Sequence, residues 1–310
     1  MSGKGSTMSR ALHLAQGADR ERTAERLLKS SAEKFYDPDV DVDWSAPPVE
    51  GMLYQPEHRI SLYGTYLWDR LTPAQRVELG RHEVASVASN GVWFEVILIQ
   101  MLLKEIYKGD PTTAHVQYAL TEIADECRHS TMFGKAIRHF GLPPYGPRKH
   151  LHRLGRLLPV VGYGPALYGS VLIVEEILDR FQREAMADEN VQPMIRMVNR
   201  IHVLEEARHV TFARQEVASG MPKLTKAELL YQRWLVALVG CQVTHTLINP
   251  RVYKSVGLDP REAYHVAMTS PHYQESIRWA GERIMAFLSD AGLVGAPGMH
   301  LWRKSFLIAS

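Results

Sequence analysis

The chain has 310 residues, 45% of them hydrophobic, and a formal net charge of +2. That is enough apolar material for a sizeable core, and too little net charge to argue for nucleic acid or a membrane surface as a partner. Only two cysteines occur, Cys127 and Cys241, which excludes a disulfide framework and fits a reducing cytoplasm.

Residues 1–18 read as a disordered, Gly/Ser-rich tail without the apolar stretch of a secretory signal. Residues 19–310 are then expected to form one domain. Asp19 to Lys34 reads as a charged amphipathic helix. Tyr36 to Pro56 is rich in Pro and Asp, carries the large apolar Trp44, and is expected to run extended over the rest as a packing arm. Thr72-Pro73 marks a helix start, an N-cap followed by Pro at the first helical position. The helical pattern then runs to Lys108, and Gly109 ends it. Asp110-Pro111 predicts the next helix, to about Phe140. Gly141 to Gly164 is a Gly- and Pro-rich connection, with a short helix predicted at 148–157. Its basic stretch Arg148 to Arg156, with His150 and His152, reads as a solvated face. Two further long helices follow, Pro165 to Asp188 and about Val191 to Ser219. The C-terminal part predicts Thr225 to Val256, a short helix at 260–269, and Pro271 to Ala291. Period-two alternation is nearly absent, so the chain reads as all-α. The apolar run Leu235 to Cys241 is far too short to span a bilayer.

The chemistry lies in two matched stretches. One is His202-Val203-Leu204-Glu205-Glu206-Ala207-Arg208-His209, in a helical pattern free of internal Pro and Gly. At about 100° per residue, Glu206 lies about 40° from His202, with His209 about 20° away on the other side. The other is Asp125-Glu126-Cys127-Arg128-His129. Both therefore read [Asp/Glu]-Glu-x-Arg-His. A single Glu-x-x-His is usually an exposed acid beside a histidine. Here the doublet is also matched upstream, because Glu95 precedes Glu126 by 31 residues and Glu175 precedes Glu206 by 31. Both upstream acids interrupt apolar runs, where a carboxylate is costly to bury unless paired or metal-bound.

Glu on one helix and Glu-x-x-His on the next, twice over, is the pattern of a di-iron or di-manganese carboxylate site in a four-helix bundle. The 141–164 connection has the length of the crossover such a bundle needs between its helix pairs. A zincin site is excluded, since its histidines are four apart with Glu beside the first. The candidate ligands are Glu95, Glu126, His129, Glu175, His202, Glu206 and His209. His202 has Glu122 as its counterpart in the first half, so the site is asymmetric, with three histidines. Glu122 reads as a supporting acid or a surface residue. Asp125–Arg128 and Glu205–Arg208 are i,i+3 opposite charges, read either as helix-surface ion pairs or as a layer of Arg128 and Arg208 behind the ligands. Asp179, one turn after Glu175, is a candidate to hold a ligand histidine through its outer ring nitrogen. Ala88, Asn90, Gly91 and Val92, above Glu95, are candidates for a substrate pocket, with close helix packing as the competing explanation. His245, in an apolar helix, reads as a core histidine.

At these residues the chain resembles the di-iron arylamine N-oxygenase family typified by p-aminobenzoate N-oxygenase. The match runs residue by residue through Glu95, Glu126, His129, Glu175, His202, Glu206 and His209, including the extra histidine four residues before the last glutamate. The resemblance spans roughly residues 60–290. It implies a ferritin-like bundle holding two Fe ions, with Mn possible in their place. It also implies O2 as co-substrate, a peroxo-diferric species, and oxidation of a small-molecule amine to hydroxylamine and on towards nitro. Nothing in the chain looks like a flavin or nicotinamide site, so an external electron donor is expected. Family habit further implies a homodimer. Soluble acyl-carrier-protein desaturases share the doubled motif without the added histidine and are the alternative enzyme. A non-enzymatic ferritin-like metal protein is the alternative outside catalysis. The sequence offers no clear cation to receive an aryl carboxylate.

Overall fold

The computed structural model describes residues 19–309; the tail expected at 1–18 lies outside them. Helix α1 spans 19–33. The bundle proper is α2 (Pro73–Ile106), α3 (Ala114–His139), α4 (Gly164–Ala187) and α5 (Pro193–Gly220). After it come α6 (Lys226–Thr244), α7 (Pro260–Thr269), α8 (Pro271–Asp290) and α9 (Met299–Lys304). The architecture is an all-α, ferritin-like four-helix bundle with additional N- and C-terminal helices.

Helix starts follow local chemistry. Thr72 and Gln75 form a reciprocal capping box ahead of Pro73, and Thr225 with Glu228 forms another at α6. Helix α3 begins later than Asp110-Pro111 suggests. The Asp110 carboxylate accepts from Thr112 N and Thr112 Oγ1, closing a turn, and Thr113 supplies the cap by accepting from Val116 N. Helix α6 is shorter than the predicted Thr225 to Val256, ending at Thr244. Asn249-Pro250 bars a continuous helix to Val256, because the residue before Pro is pushed out of helical geometry, although α6 already ends five residues before it. Asn249 instead caps a 3-10 turn, Pro250–Val256. The broken strand of chain is held from α2: Ser86 Oγ donates to Leu247 O at 3.0 Å and Asn90 Nδ2 to Thr246 O at 2.8 Å.

The two hairpins α2–α3 and α4–α5 are joined by the crossover, which carries helices at Lys149–Gly155 and Leu158–Val161 and lies against α2. Gly155 is required there, since a Cβ would come within 2.1 Å of the Trp93 ring. Helices α6 and α8 pack on α4, burying it almost all round between Pro165 and Leu178. The arm at 36–56 runs over the 188–192 connection, with Leu53 bridged to Val191 and Gln192 N donating to Leu53 O at 2.9 Å. By length and composition α2 is long and apolar enough to cross a membrane. Here it is a bundle helix with Glu95 buried at its middle.

Candidate metal centre

The four bundle helices bring seven side chains together in the interior. Helix α2 contributes Glu95, α3 Glu126 and His129, α4 Glu175, and α5 His202, Glu206 and His209. All are 3% exposed or less. Ligand atoms within 4.8 Å of one another form three overlapping groups. They are Glu126, His129, Glu206 and His209; Glu95, His129 and His202; and Glu175, His202 and Glu206.

The nitrogens face inward in a defined way. His129 Nδ1 lies 3.1 Å from Glu126 Oε2 and 3.1 Å from Glu206 Oε1. His209 Nδ1 lies 3.0 Å from Glu126 Oε1 and 3.1 Å from Glu206 Oε1. Their outer nitrogens reach across the bundle to the acids that directly precede the opposite glutamate. His129 Nε2 meets Glu205 Oε2 at 2.8 Å, and His209 Nε2 meets Asp125 Oδ2 at 3.2 Å. Arg128 and Arg208 close this layer: Arg128 Nη2 reaches Asp125 at 2.5 Å and Glu205 at 3.4 Å, Arg208 Nη2 the same two at 3.4 and 3.7 Å. The i,i+3 charges are thus a buried crossed box behind the histidines. A surface ion-pair reading does not hold, because Asp125, Glu205 and Arg208 are buried. Outer carboxylates of this kind fix the tautomer and orientation of a ligand imidazole. The two supports, Asp125 and Glu205, were detectable in the sequence as the acid repeated immediately before Glu126 and Glu206.

His202 is held the other way round. Its Nδ1 bonds the Gln182 side-chain oxygen at 2.8 Å, leaving Nε2 3.5 Å from Glu95 and 3.6 Å from Glu206 without a hydrogen bond. Burial, which the surrounding charges do not outweigh, lowers its pKa to about 4, so the ring is neutral with its lone pair on Nε2. The expectation for Asp179 is corrected. Its carboxylate binds Arg183 at 2.7 and 2.9 Å near the surface, and the support it was expected to give comes from Gln182. Glu122, the counterpart of His202, is buried rather than on the surface, with Oε2 unpartnered among the described residues, and burial raises its carboxyl well above the ordinary range.

The electrostatics call for cations. Burial and the charges of Glu126 and its neighbours push Glu95 and Glu175 well up. Burial and Glu206 also press on Glu126, but His209 and His129 outweigh them and hold it at about 2. Burial disfavours charge on His129 and His209, yet the carboxylates around them raise both well above the ordinary value. Protons on imidazoles here occupy the place of positive charge, and a metal ion would displace them. Glu95 Oε2, Glu175 Oε2, Glu206 Oε2 and His202 Nε2 have no hydrogen-bond partner among the described residues. Buried, unpaired oxygens and an unpaired imidazole nitrogen at one point are what a two-metal carboxylate–histidine site requires.

The expected substrate pocket is only partly realised. Ala88 and Gly91 line a cavity of about 110 Å³ with Phe133 and Gln182, but no candidate ligand lines it. Asn90 is committed to the 246–247 carbonyls, and Val92 packs with Phe133 and Ile201. A larger cavity, about 380 Å³, lies between α2, α4, α6 and the crossover, and Glu175 forms part of its wall. Its walls come from four separate segments, each of which looks like ordinary core by itself, so no sequence pattern marks it.

Comparison with known proteins agrees with this geometry. Residues 17–292 match the family described as P-aminobenzoate N-oxygenase AurF. Two relatives, uncharacterised proteins of Mycobacterium tuberculosis and Mycobacterium bovis, are each 28% identical over 313 residues, covering 95% of this chain and 89% of the relative.

Proposed function

We propose, from the premise that the chain belongs to the p-aminobenzoate N-oxygenase family, that it is an O2-dependent non-haem di-iron oxygenase acting on the nitrogen of an aromatic amine. The observation that carries this reading is the buried set of four glutamates and three histidines, several of whose ligand atoms have no hydrogen-bond partner among the described residues. Glu126 and Glu206, at the centre of the set, would be shared between two metal ions, with Glu95 and Glu175 at the ends. Bound there, two irons would supply the redox chemistry that reduces O2, with electrons from an external donor.

The chain's own groups do the rest. Glu205 and Asp125 keep the outer protons on His129 Nε2 and His209 Nε2, so that Nδ1 of each ring faces inward. Gln182 keeps the proton of His202 on Nδ1, presenting Nε2 as a third neutral donor. Burial excludes bulk water, which strengthens every electrostatic interaction inside the site. Glu122 holds its proton on a carboxyl close enough to feel the charges of His209, Glu126 and Glu206. The reading includes a cytoplasmic homodimer served by a separate donor protein, and the unpaired Cys127 and Cys241 suit a reducing compartment.

Iron-loaded protein, chemically reduced, is mixed with an aromatic amine under isotopically labelled O2, and product masses are read. Labelled hydroxylamine or nitro product supports the assignment. The apolar wall of the larger cavity also suits an acyl chain. A product that has instead lost two hydrogens from such a chain would replace N-oxygenation with desaturation.

A further inference from the structure

The larger cavity says what kind of molecule the centre can take. Glu175 stands in its wall, so an occupant of this space reaches the metal-binding side chains directly. At about 380 Å³ it has the size of a small-molecule site. Its lining is aromatic and aliphatic, Trp93, Leu98, Val171 and Leu235 among it, and no Lys, Arg or His among the described residues contributes. Apart from Glu175, the polar side chains on the wall are few and mostly committed: Ser170 Oγ donates to Ala166 O and Thr246 Oγ1 to Gln242 O. The Gln242 amide makes no side-chain hydrogen bond among the described residues and is neutral. Along α6 the lining runs from Tyr231 to Val243, about 18 Å of helix axis at 1.5 Å per residue. A single-ring substrate with its amine at Glu175 would therefore lie against this apolar wall along its length.

We infer that the substrate is a neutral, apolar amine, an aromatic ring with an uncharged or hydrocarbon extension, and that aryl carboxylates are excluded. The inference rests on the oxygenase reading for the identity of the amine, and on the cavity alone for the exclusion of negative charge. A carboxylate in this space would meet no cation among the described residues, and a neutral amide such as that of Gln242 replaces only part of its hydration. It could enter only as the protonated acid, roughly one molecule in five hundred at pH 7 for an acid of pKa about 4.3.

The test compares two probes with one ring and one amine, 4-aminobenzoate and its ethyl ester, by isothermal titration calorimetry on the full-length, metal-loaded protein at pH 7. The expected result is ester binding roughly five-hundredfold tighter than acid binding. Leu238→Trp, a half-buried position on the wall, should abolish ester binding while circular dichroism and metal content stay unchanged. Acid binding equal to or tighter than ester binding overturns the inference, as does failure of both probes to bind, or ester binding that survives Leu238→Trp. Should that variant misfold, the wild-type comparison still decides. The two readings fail separately: ester that binds but is never oxygenated removes the reaction and leaves the cavity assignment, whereas oxygenation of the acid with no preference for the ester does the reverse.

Discussion

Glu205→Gln tests the crossed support behind the histidines. Glu205 is fully buried, and its carboxylate meets His129 Nε2 at 2.8 Å, Arg128 at 3.4 Å and Arg208 at 3.7 Å. Glutamine keeps the shape and one acceptor oxygen, so His129 can still be oriented, but the negative charge is lost. The imidazole becomes a weaker donor to metal, and the box of two acids and two guanidiniums is left with an excess positive charge. Loss of such an outer partner typically weakens metal binding about 10- to 100-fold, or roughly 1.4 to 2.7 kcal/mol. Glu205→Ala goes further, stranding buried charge at a cost of about 3–5 kcal/mol of folding stability. Iron affinity is measured by competition with a chelator, in a double-mutant cycle with His129→Ala. If Glu205 acts through His129, the two losses are strongly non-additive, because removing the ring removes the support's target. Full additivity, or unchanged affinity in Glu205→Gln, would refute a positioning role and leave Glu205 purely structural.

His202→Ala should fold, since α5 keeps its apolar face, and should lose iron occupancy at one site; His245→Ala, whose ring bonds the Cys241 carbonyl, should leave occupancy alone, and equal metal content in all three proteins would show His202 to be only structural. Glu83 gives a pH prediction away from the centre. Burial raises its carboxyl to about 7, although Ser61 and Gln55 oppose the shift. Its folded pKa lies above the unfolded value, so the native state holds the extra proton and stability falls as pH rises from about 4.5 through 7. The loss approaches about 3 kcal/mol at most. Chemical denaturation of wild type and Glu83→Gln at pH 5 and pH 8 should show a smaller decline in the variant. Equal declines would contradict the assignment.

The parts legible from sequence are those in which chemistry fixes residue type at helical spacing. Glu95 and Glu175 stand out because an acid inside an apolar run is too costly without a partner, and the equal spacing to Glu126 and Glu206 ties each to its hairpin. The crossed support is less legible. Within one helix Asp125 faces Arg128, and only the packing of α3 against α5 shows that it also reaches His209. Asp179 misleads because one turn of spacing places it near Glu175, while the side chain turns outward to Arg183. Gln182, which does hold His202, has no charge to advertise it. The end of α6 at Thr244 was hidden by continuing apolar residues, although Asn249-Pro250 limits how far any helix could run.

Metal content is the most direct test of a two-metal centre. Protein produced in iron-rich medium should contain about two irons per chain, and Glu126→Ala, which removes one of the proposed carboxylate ligands, should contain one or fewer. One zinc per chain, unchanged by Glu126→Ala, would contradict the account.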